Sequence, residues 1–281
     1  MPPSLPPDTS LGPVTLRVAD TGRAARFYRD VLGFQEAPGT AGLVALGAGG
    51  PPVILLMQVP GARAVRRFSG LFHVAILVPT RGALGQALRR LADAQIGIGQ
   101  ADHRVSEALY LADPDGNGLE VYHDRPRSQW RWSNGAVEMA TEPLDLESLL
   151  QEGDRDPAPT GVLPAGTKIG HVHLQVADVE QAVSFYHGAV GFDLTARWQG
   201  AAVLSAGGYH HHLGLNSWAS RGAPPAPEGS TGIQSLVVRL PGHEDLAGMA
   251  RRLEEAGAPV HREDGMVRAR DPWNVEIQFT L

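Results

Sequence analysis

Three consecutive histidines, His210, His211 and His212, stand in the segment SAGGYHHHLGLNSW, which spans residues 205–218. Imidazole exchanges protons near neutral pH and is a common ligand of divalent metals. Most of the neighbouring residues are small or apolar, so the pattern predicts that the three histidines belong to a short strand. We therefore expect proton transfer or metal binding here if the fold brings further polar groups to this strand.

The composition excludes several other kinds of chemistry and of partner. The chain has 281 residues with 43% hydrophobic content, enough for one large or two ordinary globular domains. It contains no cysteine, which excludes thiolate metal sites and cysteine nucleophiles. Its formal net charge of −6 provides no basic surface for nucleic acid or for an anionic membrane. Because neither a signal peptide nor a long apolar run is present, we expect a cytoplasmic protein that binds a small molecule.

An internal repeat defines the elements that must position these residues. Residues 11–34, LGPVTLRVADTGRAARFYRDVLGF, align without a gap on residues 169–192, IGHVHLQVADVEQAVSFYHGAVGF. Each copy alternates polar and apolar residues as a strand and then shows helical spacing up to Phe-Tyr. At the same offset, residues 48–58 align on 206–216, which sets the apolar segment 52–54 against the three histidines. A strand at this position of the repeat can therefore pack against the core without histidine.

A second pair of units completes the pattern. Residues 72–96 and 233–258 share Arg-Arg-Leu and lead through Asp-Pro to strands that contain Glu120 and Glu276. The sequence thus predicts four units, each with a strand, a helix and then two or three strands. We divide the chain into units one and two at residues 10–123, a linker with a short helix at 124–166, and units three and four at 167–281.

The openings LRVAD…FYRDVLGF and HVHLQVAD…FYHGAVGF and the ending DPDGNGLEVY resemble the vicinal oxygen chelate superfamily over nearly the whole chain. The resemblance implies an α+β fold in which four βαβββ modules form two domains of the glyoxalase/dioxygenase type. It also implies cup-shaped sheets whose inner walls bind a divalent metal. The ligands then come from the first and last strands of the modules.

The resemblance assigns ligand positions module by module. The first-strand positions in modules one to four are Pro13, His73, His171 and Ser235, and the last-strand positions are Val53 or Ile54, Glu120, His211 or His212, and Glu276. Apart from Glu276, every metal-competent residue lies in modules two and three. We therefore expect these two modules to share the metal cup, with His73, Glu120 and His171 as ligands. His212 is a further candidate ligand, and modules one and four form a second, metal-free cup.

Two histidines and one carboxylate form the facial triad that suits Fe(II). This set, with Tyr110 shortly before Glu120, resembles the type I extradiol ring-cleavage dioxygenases, although here the half with glutamate and tyrosine comes first. The resemblance implies an aromatic substrate similar to catechol, dioxygen as the second substrate, and His211 as the acid–base residue. Tyr110 and His103 are candidates to stabilise the negative charge that develops on dioxygen. Fe(II) is the expected metal, with Mn(II), Ni(II) and Zn(II) as alternatives.

Other functions and arrangements stay open at this stage. A glyoxalase-like isomerase or lyase would use His212 as a fourth ligand of Ni(II) or Zn(II), and a non-catalytic small-molecule binder would have lost the metal. If modules three and four paired, Glu276 could join His171 and His212 as a ligand. One chain can supply a complete site, so both a monomer and a homodimer are compatible with the sequence.

Overall fold

The computed structural model describes residues 4–39, 42–157, 159–263 and 265–281. Within these ranges the chain forms two curled eight-stranded sheets with helices packed against them. This architecture confirms the α+β fold class expected from the four repeated units. None of the helices formed by the described residues has the length and apolar character that a membrane span requires.

The first half of the chain contains two units of similar composition. The first unit consists of β1 (Ser10–Val18), α1 (Thr21–Asp30), β2 (Gln35–Glu36), β3 (Leu43–Gly47) and β4 (Pro52–Gln58). The second unit consists of β5 (Gly70–Leu77), α2 (Arg81–Asp93), β6 (Gly99–Asp102), β7 (Ser106–Ala112) and β8 (Gly118–Asp124). Helices α1 and α2 begin after Asp20 and Thr80, whose side chains accept hydrogen bonds from backbone N–H groups of the first turn.

A linker and two further units follow. The linker contains a short 3-10 turn (Arg127–Gln129), β9 (Trp132–Ser133), β10 (Ala136–Val137) and α3 (Leu146–Arg155). The third unit consists of β11 (Lys168–Gln175), α4 (Val179–Val183) with a π-helical continuation (Ser184–Val190), β12 (Asp193–Trp198), β13 (Ala201–Ser205) and β14 (Leu213–Asn216). The fourth consists of β15 (Gly232–Arg239), α5 (His243–Glu255), β16 (Val260–Glu263), β17 (Met266–Arg270) and β18 (Glu276–Thr280).

The four units combine in an order that differs from their order in the chain. One sheet, here called the two–three sheet, has the strand order β12-β13-β14-β11-β5-β8-β7-β6. The other, the one–four sheet, has the order β16-β17-β18-β15-β1-β4-β3-β2. In both, the first strands of two units pair antiparallel at the centre, as β5 with β11 and β1 with β15. Each cup therefore combines strands from both halves of the chain.

Alternation along β11 separates a core face from a cup face. Val172 and Leu174 are buried in the main hydrophobic core, whereas His171 and His173 line a cavity on the opposite face. Successive side chains of a strand point to opposite faces, so the sequence HVHL produces this division directly. The cup of the two–three sheet is consequently lined with imidazoles.

The Phe-Tyr motif of each long repeat binds the Asp-Pro turn of the next unit. The hydroxyl of Tyr28 donates to Asp113 Oδ2 over 3.1 Å, and that of Tyr186 donates to Asp271 Oδ2 over 3.0 Å. The same carboxylates accept hydrogen bonds from backbone N–H groups of their own turns. Sequential units are thus joined by buried hydrogen bonds even though they belong to different sheets.

Helix α3 of the linker packs tightly on α2 through two glycines. A Cβ atom added to Gly85 would lie 2.2 Å from the carbonyl oxygen of Leu149 and 2.8 Å from backbone atoms of Gly153. These distances are shorter than any van der Waals contact, so only glycine permits this approach of the two helices. The contact anchors the linker, which supplies residues 139–141 to the wall of the cup.

We expect Gly85→Ala to lower the free energy of unfolding by about 1–3 kcal/mol, because the added methyl group forces the two helices apart. The steric cost of the methyl group should exceed the gain in helix propensity from glycine to alanine, which is about 1 kcal/mol. Urea unfolding measures the difference, and Gly97→Ala is the control because no atom lies within 4 Å of its Cβ position. Equal stability of the two variants would contradict the close packing of α2 and α3.

Candidate metal centre

Three side chains with metal-binding atoms converge in the cup of the two–three sheet. His73 comes from β5, Glu120 from β8 and His171 from β11, and all three are buried. The Nε2 atoms of both histidines lie 3.0 Å from Oε2 of Glu120 and 3.4 Å from each other. Neighbouring donor atoms of an octahedral ion, each bound at about 2.1 Å, lie about 3 Å apart. The three atoms therefore have the spacing of one octahedral face.

The strand register explains why these side chains meet. Ala75 of β5 pairs with Glu120 on one side and with His171 on the other, so the three residues form a row across the sheet. His73 lies two residues before Ala75 and therefore projects from the same face. The methyl group of Ala75 occupies little space between the two ligands. A larger side chain at this position would stand between Glu120 and His171.

The electrostatics of the cluster favour an ionised Glu120 and a neutral His171. Burial by itself would raise the pKa of Glu120, but the attraction and hydrogen bonds of His171 and His73 outweigh it and hold this pKa well below its usual range. Burial lowers the pKa of His171 and so favours the neutral imidazole. Its Nδ1 atom is buried and makes no hydrogen bond to any residue that the structure describes. An anionic carboxylate and neutral imidazoles are the forms that bind a metal ion.

His173 is a functional candidate that the sequence analysis did not select. Its half-buried ring lies 5.0 Å from that of His73, and its Nε2 lies 3.0 Å from Nδ2 of Asn216. Burial lowers its pKa well below the usual value, so the ring is neutral. A Cβ atom at Gly214 would lie 2.7 Å from the ring, and the glycine therefore leaves the space that His173 occupies. The alternation HVH was the sequence signal that could have identified it.

Tyr110 and His103 form a hydrogen-bonded pair beside the cluster. The carbonyl oxygen of Ala140 lies 2.6 Å from Nδ1 of His103, which places the proton of the neutral ring on Nδ1. Nε2 of His103 then accepts from the Tyr110 hydroxyl over 2.7 Å. Burial and the charge of Glu120 raise the pKa of Tyr110, so its phenol is un-ionised. The pair can exchange hydrogen bonds with a ligand that enters the cup.

His211 lies against the cluster without being part of it. Its ring centroid is 4.1 Å from that of His171, and it lines the same cavity. Nδ1 of His211 lies 2.7 Å from Nδ1 of His210. Burial lowers the pKa of His211 well below its usual value, so the ring is neutral and can accept a proton at a lone pair.

The cavity above the cluster has a volume of about 610 Å³ and an apolar mouth. Phe72, Trp198 and Trp218 line it and are among the exposed large hydrophobic residues of the protein. Lys and Arg are absent from the described residues that line it, and Glu120 is its one carboxylate. The cavity therefore suits an uncharged aromatic ligand with polar atoms at one end.

Comparison with known proteins places this geometry in a family. The model of the Glyoxalase/Bleomycin resistance protein/Dioxygenase superfamily matches residues 10–121 and again residues 168–279. The chain belongs to this superfamily. The match confirms the recognition made from the repeat, because the two matched segments correspond to the two halves of the internal alignment.

Individual members of the superfamily are similar over almost the whole chain. A catechol-2,3-dioxygenase of Bacillus subtilis is 44% identical over 275 residues, which cover 96% of each chain. Among solved structures, one similar fold is that of a Bacillus subtilis protein provisionally described as a dioxygenase. The two structures align with a TM-score of 0.65 and 16% sequence identity, and the alignment covers 100% of this chain and 86% of the other. Glyoxalase I of Zea mays has a TM-score of 0.57 and 15% identity, with 97% and 92% covered. These two structures support the fold alone.

The three consecutive histidines differ from the expectation in one respect. They do not form a strand but precede β14, which begins at Leu213. The chain reverses at Gly207 and Gly208, which both have positive φ, and the histidines lie in the irregular segment that follows. The backbone of His212 still bonds to Leu204 and Val172 on its two sides. The segment is therefore attached to the sheet without having strand geometry.

His212, the fourth candidate ligand of the superfamily site, does not join the cluster. Its Nδ1 accepts a hydrogen bond from the backbone N–H of Ala206 over 3.1 Å, and its ring lies 4.9 Å from that of Tyr209. The three residues that converge are His73, Glu120 and His171, without His212. Burial lowers the pKa of His212 to about 3. In the neutral ring, the one nitrogen that can accept a hydrogen bond is therefore already used.

The cup of the one–four sheet contains an ion pair in place of a ligand cluster. Arg270 pairs with Glu276 in the sheet register, and its guanidinium lies 3.1 Å from the carboxylate. The other carboxylate oxygen accepts from Gln278 over 2.7 Å. Ser235 stands beside Glu276 where a histidine ligand would be needed. In the one–four cup, the cation that compensates the charge of Glu276 is therefore the Arg270 side chain.

We expect Glu120→Gln to weaken binding of a divalent metal by at least about a hundredfold, because it removes the one anionic ligand. Glu276→Gln is the matched control and should leave metal affinity unchanged. Elemental analysis after equilibration with Fe(II), Mn(II) or Zn(II) should give one metal per chain for the wild type and for the control. Two metals per chain, or metal loss in the Glu276 variant alone, would contradict this assignment.

The buried His212 should make the protein less stable in acid. Its pKa is about 3 when folded and about 6.5 when unfolded, so the unfolded chain binds the extra proton between these values. The stability that the neutral ring contributes is complete above pH 6.5 and is lost as the pH falls. From pH 7.5 to 5.5, metal-free wild type should lose about 1.4 kcal/mol more than His212→Asn. Urea unfolding tests this, with His261→Asn as an exposed control that should behave like the wild type.

Proposed function

We propose that the protein is a metal-dependent extradiol dioxygenase that opens the ring of a catechol-like aromatic diol, with Fe(II) held by His73, Glu120 and His171. The observation that carries the proposal is the arrangement of three donor atoms on one face of a buried site that opens into a cavity. A facial set of two histidines and one carboxylate leaves the opposite positions for substrates. The 44% identity to a catechol-2,3-dioxygenase over 96% of both chains supports the same reaction.

The chemistry that Fe(II) supplies when bound is electron transfer between the diol and dioxygen, which do not react rapidly by themselves. The chain provides the proton transfers. A catechol must lose protons to bind through both oxygens, and neutral His211, beside the cluster, can accept one of them. Because burial lowers the pKa of His211, the protonated ring readily returns the proton to a later anionic product oxygen.

Tyr110 and His103 provide hydrogen bonds on the other side of the cavity. The Tyr110 hydroxyl lies between His103 and the space above Glu120, and the ring centroids of Tyr110 and His73 are 5.6 Å apart. When His103 gains a proton, its Nε2 becomes a donor and the Tyr110 hydroxyl is free to donate into the cavity. The pair can then stabilise negative charge that develops on an oxygen atom there.

The cavity wall indicates the character of the diol. Its mouth is aromatic, and none of the described lining residues carries a permanent positive charge that could bind a carboxylate substituent. The proposed substrate is therefore an uncharged catechol or one with an apolar substituent. A glyoxalase-like isomerase would use a fourth protein ligand, and His212, the candidate for it, is hydrogen-bonded to Ala206 outside the cluster.

Oxygen uptake with catechol tests the proposal. Anaerobically loaded Fe(II) protein should consume one dioxygen per ring opened, and the product should show the absorbance of a conjugated ring-opened acid. Metal binding without oxygen uptake, with Ni(II) or Zn(II) preferred, would favour the isomerase. Absence of metal binding would favour a non-catalytic binder.

We expect His211→Ala to keep the metal and lower kcat by about a hundred- to ten-thousandfold, because the general base is lost. Metal content and oxygen uptake are measured on the same preparation. His261→Ala, at an exposed position of β16, should retain full activity. If His211→Ala loses the metal instead, His211 is a ligand and not the proton acceptor.

A further inference from the structure

A chain of hydrogen bonds runs from the cavity to the protein surface behind His211. Nδ1 of His211 lies 2.7 Å from Nδ1 of His210, and Nε2 of His210 lies 2.8 Å from Oδ1 of Asp124. The ring of His210 is completely buried, whereas the Asp124 side chain is 21% exposed. The second oxygen of Asp124 accepts from the Tyr209 hydroxyl over 2.8 Å. The carboxylate therefore stands at the outer end of two linked imidazoles.

The hydrogen-bonding rules of imidazole determine where the protons lie in this chain. A carboxylate only accepts, so the proton of a neutral His210 must be on Nε2, facing Asp124. Nδ1 of His210 is then an acceptor, and the proton of His211 must be on Nδ1 to complete the bond between the two rings. Nε2 of His211 is left with a free lone pair, and the His211 side chain lines the cavity.

We propose that His210 and Asp124 are positioning residues that hold His211 in the tautomer with an unprotonated Nε2 available to the cavity. The proposal rests on the proposed function, since it gives the cavity the general base that a catechol requires. In the proton-transfer step the O–H bond of the substrate breaks and an N–H bond forms at Nε2 of His211. The positive charge that His211 gains is stabilised through the Nδ1–H bond to His210 and the negative charge of Asp124.

Among the described residues, the partners of the two His210 ring nitrogens are His211 and Asp124. Its ring contacts Tyr209 with centroids 4.1 Å apart and Trp130 with centroids 5.1 Å apart. Tyr122 lies further away and donates its hydroxyl proton to Tyr209, which in turn donates to Asp124. Aromatic rings thus exclude water from the His210 ring. The hydrogen bonds to His211 and Asp124 thus satisfy its two nitrogens.

The tautomer can be tested independently of activity. In Zn(II)-loaded protein labelled with ¹⁵N-histidine, the chemical shift of each ring nitrogen shows whether it carries a proton, and His211→Gln identifies the signals by their loss. The wild type should show an unprotonated Nε2 and a protonated Nδ1 for His211. A protonated Nε2 in the wild type would overturn the proposal whatever the activity of the protein.

Substitution of Asp124 tests the positioning role. Asp124→Leu removes the acceptor for His210, so protons should redistribute to Nε2 of His211. The kcat for oxygen uptake should fall about ten- to a hundredfold with KM and metal content retained. Asp124→Asn keeps an accepting oxygen without the charge and should give an intermediate kcat. Asp154→Asn, at an exposed carboxylate paired with Arg89, is the control that should match the wild type.

Each result distinguishes this proposal from the proposed function. An unchanged His211 tautomer in Asp124→Leu, or a changed tautomer with unchanged kcat, would overturn the positioning role. A parallel loss of metal, KM and kcat would assign Asp124 a structural role and also overturn it. If the wild type shows the expected tautomer but consumes no oxygen with any catechol, the dioxygenase proposal fails while the tautomer assignment holds.

Discussion

The buried carboxylate of Glu120 is the constraint on which the rest of this site depends. An ionised carboxylate removed from water is unstable unless opposite charges or hydrogen bonds compensate it. The Nε2 atoms of His73 and His171, each 3.0 Å away, provide that compensation, and a divalent cation among them would provide more. Each of the three side chains projects from a different strand. The sheet register must therefore be exact, because a shift of one residue would turn a ligand toward the opposite face.

The two cups place different partners around a glutamate of their last strand, the buried Glu120 in one and the half-buried Glu276 in the other. In the two–three sheet the partners of Glu120 are the imidazoles of His73 and His171, and the low pKa of Glu120 keeps its negative charge available to a cation. In the one–four sheet the partner of Glu276 is Arg270, whose charge is permanent. A guanidinium already in contact with the carboxylate removes the need for a metal. The side chains around each glutamate thus separate a candidate metal site from a structural ion pair.

Neutral imidazoles dominate the cup of the two–three sheet, and burial is the physical reason. Desolvation lowers the pKa of His171, His173 and His211, so their lone pairs stay available for a metal or a substrate proton. Neutral rings can adopt two tautomers, and only hydrogen-bond partners select between them. Asn216 contacts His173, and Asp124 acts on His211 through His210. The polar groups behind the cup therefore determine which nitrogen each histidine presents.

The sequence by itself was sufficient for the family and the α+β fold class, because the gapless repeat and the Phe-Tyr and Asp-Pro motifs encode the four units locally. It also contained the imidazoles, the glutamates and the tyrosine from which any site had to be built. Only the tertiary structure decided which of them meet: β5 stands beside β11, so Glu120 faces two histidines, while Glu276 faces an arginine. The turn at Gly207 and Gly208 directs His212 to the backbone of Ala206 and connects His210 to Asp124. These outcomes depend on contacts between residues far apart in the chain, and local sequence patterns do not encode such contacts.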